Sequence, residues 1–195
     1  NTGLYNRKRE FYKTISPSMD ILISSNLERL LDEVSGKDPE KVASWMEELK
    51  IKGNYKVEAE IKEKIASVFW GEFASEEETN ETIRNIFNKY NYLIDPHTAV
   101  GFCVYEKYKA KTGDERTTII ASTASPFKFN ASVMKAIYGP EALEGKDEFM
   151  LLEELSQKSG KAIPKPLREL KNKAVRFNEV CRKEDMKQVL MEKLL

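Results

Sequence analysis

Apolar positions recur at helical spacing along most of the chain. Leu27, Leu30, Leu31 and Val34 fall on one face of a helix that starts near Ser25-Asn26 and stops at Gly36. Asp38 then caps, and Pro39 opens, a second helix whose apolar face is Val42, Trp45, Met46 and Leu49; Gly53 ends it. Ile61, Ile65, Val68 and Phe69 predict a third helix within 57–73. Ser75 with Glu78 three residues later is a capping box. The helix behind it runs to about Tyr90, with Thr79, Ile83, Ile86 and Phe87 inward. These four helices are charged outside and apolar inside, the pattern of a scaffold.

The texture changes at Tyr92-Leu93-Ile94, a short apolar run that reads as a strand. Asp95-Pro96 caps and opens a helix carrying Ala99, Val100, Phe102, Cys103 and Tyr105. That helix is apolar over much of its surface, which predicts burial between a sheet and other helices. Thr112-Gly113-Asp114 turns the chain into Thr117-Thr118-Ile119-Ile120-Ala121, a β-branched run with strand character. Small residues follow at once, Ser122-Thr123-Ala124-Ser125. Ser125 reads as an N-cap and Pro126 as the first helical residue. Phe129, Val133, Met134 and Ile137 then form an apolar stripe that Gly139-Pro140 terminates.

Residues 92–138 therefore predict a βαβα unit with a parallel strand pair and a right-handed crossover. The ends of both strands open onto one sheet edge, where open α/β folds bind ligands. An ordinary βα loop would look the same. Two strands cannot form a stable parallel sheet alone, so further strands come from the helical stretches or from elsewhere. Residues 141–195 return to charged helices, near 146–158, 167–174 and 182–195. Phe149, Leu151, Leu152 and Leu155 face inward in the first of these, and Met186, Val189, Leu190 and Leu194 in the last. No repeat and no internal domain boundary is visible, so 1–195 reads as one part of an α/β, helix-rich domain with a small parallel sheet.

Charge narrows the function classes. Lys plus Arg equals Asp plus Glu, 32 each, so no global field draws the chain to nucleic acid or to an anionic membrane. No apolar run approaches the roughly 20 residues that span a bilayer. Cys103 and Cys181 lack metal-ligand spacing and read as free thiols of a cytoplasmic protein. The first residue is not Met, which fits a piece of a larger enzyme.

The candidate chemistry gathers at the predicted sheet edge. His97 is the only histidine, which rules out a multi-histidine metal site within the chain. It lies in the first turn of a helix, where the positive helix end favours the neutral ring. It reads equally as a structural histidine or as a ligand-side group. Asp95 is a cap by default. Lys128, in the first turn of its helix, suits an anionic ligand or simply solvent. Ser122 and Thr123 place hydroxyls at the edge without bulk. The nine glycines are scattered, so no phosphate-binding glycine loop exists.

Three stretches carry more information together than singly. They are the run from Ser16-Pro17-Ser18-Met19-Asp20 through Leu31, the run Tyr92-Leu93-Ile94-Asp95-Pro96-His97-Thr98-Ala99-Val100-Gly101, and Ser122-Thr123-Ala124-Ser125-Pro126-Phe127-Lys128-Phe129. In this order the chain resembles the bacterial and fungal long form of threonine synthase, strongly over residues 1–140. The resemblance implies a fold type II, tryptophan synthase β-like scaffold that uses pyridoxal 5′-phosphate. It implies conversion of O-phospho-L-homoserine and water to L-threonine and phosphate. The family's Schiff-base lysine and its Gly-Asn-Phe-Gly phosphate loop match nothing here. The chain thus reads as a carboxyl-terminal fragment, inactive alone, whose partner is the upstream segment of the same protein. Thr123 matches the family's partner of the cofactor's pyridine nitrogen, with Ser122 as a neighbour able to substitute. Asp95, His97, Thr98 and Lys128 are candidates beside the cofactor or on the substrate side, and the loop Ser16 to Asp20 borders the same site. The family has histidine where this chain has Ser125, which weakens a role for that position and leaves Thr123 untouched. The alternatives are a non-catalytic module of the same descent or another fold type II enzyme such as an amino-acid dehydratase. The paired Asp-Pro-His-Thr and Ser-Thr-Ala motifs argue against the dehydratase.

Overall fold

The computed structural model describes residues 2–176 and 178–194. Its helices start where capping chemistry places them. Helix α1 spans Ser25–Val34, and Ser24 accepts from the Leu27 amide at 3.4 Å. Helix α2 spans Pro39–Lys52, with the Asp38 carboxylate accepting from the Lys41 amide at 3.0 Å. Gly53 closes it at φ +83, a conformation that costs an L-residue strain and glycine none. Helix α3 is Ala59–Val68. Helix α4, Glu76–Tyr90, opens on a reciprocal capping box: the Glu78 amide donates to Ser75 Oγ at 3.2 Å, and the Ser75 amide donates to Glu78 Oε2 at 2.7 Å. Helix α5 is Pro96–Thr112, α6 Asn130–Tyr138 and α7 Glu148–Ser159.

The described residues contain one sheet, a two-stranded antiparallel ribbon of β1, Leu4–Asn6, and β2, Asn54–Lys56, with Tyr5 opposite Tyr55. This corrects the expectation of a small parallel sheet. Residues 92–95 and 117–124 belong to no ladder, so the predicted βαβα unit keeps its two helices and lacks its paired strands. The physical reason is the one the sequence raised: a parallel pair with bare edges and faces has nothing to hold it. The ribbon escaped the sequence reading because three residues are too short to show a period of two.

Two apolar clusters build the larger part. In the first, α1, α2, α3 and the ribbon bury Leu31, Val42, Trp45, Leu49, Tyr55, Val57 and Ile61. In the second, α4 packs on α5 and α6, and α6 packs on α7. Ile83, Val133, Met134 and Leu155 are buried on these helices. The expected inward faces need three corrections. Helix α3 ends at Val68, and Val68 and Phe69 are exposed. Helix α5 is fully buried only over Pro96–Ala99, while Phe102, Cys103 and Tyr105 are half-buried, because no sheet covers that face here. Ser125 and Pro126 begin a 3-10 turn, Pro126–Phe129, which leads into α6 rather than being its first turn.

The chain divides into two compact units, Asn1–Ala162 and Ile163–Leu195. Residues 141–162, read from the sequence as part of a tail, thus fold with the first unit. The second unit carries α8, Lys165–Leu170, a 3-10 turn at Lys183–Asp185 and α9, Met186–Leu194. Within it Lys193 pairs with Glu179 at 2.6 Å. Met186, Leu190 and Leu194 are exposed instead of facing inward. A unit of this size has too little chain to enclose a core. Among the described residues no helix is long and apolar enough to cross a membrane.

Candidate functional site

The site is organised by one carboxylate. Asp95 is fully buried, in extended conformation just before Pro96. Proline contributes no amide, so the first donors of α5 are those of His97 and Thr98. Asp95 Oδ1 accepts both, at 2.9 and 3.3 Å. The same oxygen lies 3.1 Å from His97 Nδ1. Asp95 Oδ2 accepts from the Thr98 hydroxyl. A buried carboxylate without such partners would be costly, and here every contact is charge-assisted.

Two links leave this carboxylate. Through Thr98 Oγ1 it reaches Ser122 Oγ at 3.2 Å, a contact across 24 positions of sequence. Through the His97 ring it reaches the loop near residue 18: the Ser18 backbone amide donates to Nε2 at 3.3 Å. An amide only donates, so Nε2 is the bare nitrogen, and Nδ1 carries the proton that bonds Asp95. The two contacts together fix the tautomer of the ring. Phe129 packs against it with 4.9 Å between ring centroids.

The loop itself is closed by a second carboxylate. Asp20 accepts from the Thr14 amide at 2.7 Å and from the Thr14 hydroxyl at 2.8 Å. Thr14 Oγ1 also lies 3.0 Å from the buried Ser16 hydroxyl and accepts the Ser16 amide at 3.1 Å. The turn Pro17–Met19 stands exposed above this clamp.

The structure brings Asp95, His97, Thr98 and Ser122 into one bonded chain. Thr123 adjoins it, exposed, with its hydroxyl engaged by no described residue. Lys128 is exposed and its amine takes no part in these bonds. Ser125 acts as the cap read from the sequence, accepting from the Phe127 amide at 3.3 Å. Beside the chain lies a cleft of ≈ 380 Å³, walled by Ile94, Thr98, Phe102, Thr118, Ile120 and Ser122. A larger groove of ≈ 890 Å³ runs between α4 and α5 past Cys103 and Lys107, and includes none of the bonded residues. Burial pushes the Cys103 thiol up, away from the reactive thiolate. The sequence reading missed Thr14 and the link from Ser18 to His97. The hydroxyl-rich run before Asp20 signals a local turn, but a bond between residues 79 positions apart leaves no local signal.

Comparison with known proteins points one way. Residues 98–190 match the family model described as threonine synthase, C-terminal. Over 154 residues the chain is 42% identical to threonine synthase of Saccharomyces cerevisiae, covering 71% of this chain and 30% of that protein. The crystal structure of the yeast threonine synthase superposes with a TM-score of 0.77 at 35% identity, over 99% of this chain and 38% of that one. A pyridoxal phosphate-bound threonine synthase from Brucella melitensis superposes with a TM-score of 0.60 at 30% identity, over 80% and 36%. The chain thus spans about a third of the length of these threonine synthases. In sequence and in structure the chain is similar to the carboxyl-terminal part of threonine synthases.

Proposed function

We propose that this chain forms the cofactor-side wall of a threonine synthase, which converts O-phospho-L-homoserine and water to L-threonine and phosphate. The observation that carries the reading is the chain Asp95–Thr98–Ser122, which anchors the polypeptide immediately before an unengaged hydroxyl, Thr123. Such a hydroxyl fits the pyridine nitrogen of pyridoxal 5′-phosphate. When bound, that group supplies an electron sink for the carbon chemistry of the amino-acid substrate.

In this reading Thr123 holds the ring nitrogen, and Ser122 is close enough to take part. Thr123 is neutral, so it does not force a proton onto that nitrogen as a carboxylate would. Asp95 and Thr98 hold the backbone that presents it. Lys128 offers its ammonium to an anionic substrate from the start of the next helix. The Schiff-base lysine and the phosphate loop belong to an upstream segment of the same protein, with which this chain completes a cytoplasmic lyase. The fragment alone is inactive.

The test uses the enzyme complete with its lysine-bearing segment. Given O-phospho-L-homoserine and pyridoxal phosphate, it should release threonine and phosphate in equal amounts. Thr123→Val should weaken cofactor binding or slow turnover by about tenfold, the worth of one hydrogen bond, and Thr123→Ser should restore it. Unchanged kinetics in the valine variant would remove Thr123 from the site. A complete protein without turnover would leave a threonine synthase-like binding module.

A further inference from the structure

Three stretches far apart in the chain meet through one imidazole. The loop closed by Thr14 and Asp20 touches α5 through a hydrogen bond from the Ser18 amide to His97 Nε2. His97 can accept that bond only while its other nitrogen carries the proton, and Asp95 Oδ1, 3.1 Å from Nδ1, holds it there. Phe129, four residues beyond Ser125 in the third stretch, packs on the same ring. The ring is buried while the turn it holds is exposed, and the same aspartate leads through Thr98 to Ser122.

We infer that His97 is a positioning residue whose neutral ring, fixed in one tautomer by Asp95, pins the Pro17–Met19 turn as a wall on the substrate side of the site. This rests on the site reading above and adds to it a defined job for His97. Asp95 serves both sides of the site in this arrangement. One oxygen orients the ring that holds the substrate-side loop, and the other orients the hydroxyl that holds Ser122. A shift in either link is felt at the other, because both end on one buried group.

Two variants that differ by one methylene separate the pin from mere packing. In His97→Asn the amide nitrogen can take the place of Nδ1 and keep the bond to Asp95, but nothing reaches Ser18. In His97→Gln the longer side chain can put its carbonyl where Nε2 stands and accept the Ser18 amide. The first readout is amide hydrogen exchange at Ser18 together with the nitrogen shifts of the single histidine, measured on this chain. The second is KM against kcat in the complete enzyme. We expect the wild-type ring to show a bare Nε2. We expect His97→Asn to speed exchange at Ser18 and raise KM for O-phospho-L-homoserine, each by roughly tenfold, with kcat within about threefold of wild type. His97→Gln should return both toward wild type. Ser18 exchange unchanged in His97→Asn, or a proton found on Nε2, would overturn the pin. Faster exchange with KM unmoved, or a fall in kcat alone, would overturn the wall. If the complete protein turns over no substrate, the site reading fails while the exchange data still decide the pin.

Discussion

At the scale of single residues, Asp95 is where most of the local order is concentrated. Its two oxygens satisfy two helix-start amides, an imidazole and a hydroxyl, all out of contact with water. Removing it leaves those donors buried and unpaired. Asp95→Ala should therefore cost about 3 kcal/mol in denaturant-induced unfolding, well above the roughly 1 kcal/mol of an exposed cap. Asp95→Asn keeps the cap acceptor and should lose markedly less. Equal losses in the two variants would mean that packing, and not hydrogen bonding, holds the start of α5. Asp114 shows the contrasting surface case. The Arg116 guanidinium holds its carboxyl well below the usual range, yet Arg116 itself is open to solvent, where such a pair stabilises little.

At the scale of elements, the start of α4 joins capping to tertiary contact. Glu78 closes the capping box on Ser75 and also meets Lys107 of α5, 2.7 Å from its ammonium. The Lys107 hydrogen bond lowers the Glu78 pKa most, and the Ser75 amide adds to it. A carboxylate depressed in the folded state stabilises above its unfolded value, about 4.3, and loses that contribution as pH falls through the folded one. Wild type should exceed Glu78→Gln in stability at neutral pH by less than about 1 kcal/mol, since the pair is open to solvent. The difference should shrink as pH falls below the unfolded value. A gap that persists or grows in acid would contradict the assignment. Helix α5 shows the complementary case: its apolar residues beyond the first turn are only half-covered.

At the scale of the molecule, the first unit stands on two apolar clusters, one around α1, α2 and α3 and the other around α4, α6 and α7. Leu31 lies at the centre of the first, fully buried. Leu31→Ala should cost about 2–5 kcal/mol in thermal or denaturant unfolding, as truncations in well-packed cores do. A loss under 1 kcal/mol would show that this cluster collapses around the gap. The hydrogen-bonded site bridges the same division, because its loop precedes α1 and its aspartate and histidine open α5.

Much of this was legible from the sequence alone, because the signals are local. A serine or aspartate before a helical run, a proline at its first position and a glycine after it each settle a boundary through groups a few residues apart. They placed α1, α2, α4 and α5 closely, and they marked Asp95 and Ser125 as caps. The three family stretches likewise exposed Ser122, Thr123, Asp95, His97 and Thr98 as one candidate set. Whether 92–94 and 117–121 pair as strands was beyond such signals, since a strand exists only through a neighbour's hydrogen bonds. So was the ribbon of Tyr5 and Tyr55, whose partners lie 50 positions apart. The bond from Ser18 to His97 and the contact of Thr98 with Ser122 were decided by tertiary structure for the same reason. Each depends on polar groups far apart in the sequence arriving within hydrogen-bond distance, a fact of packing that no single stretch of residues encodes.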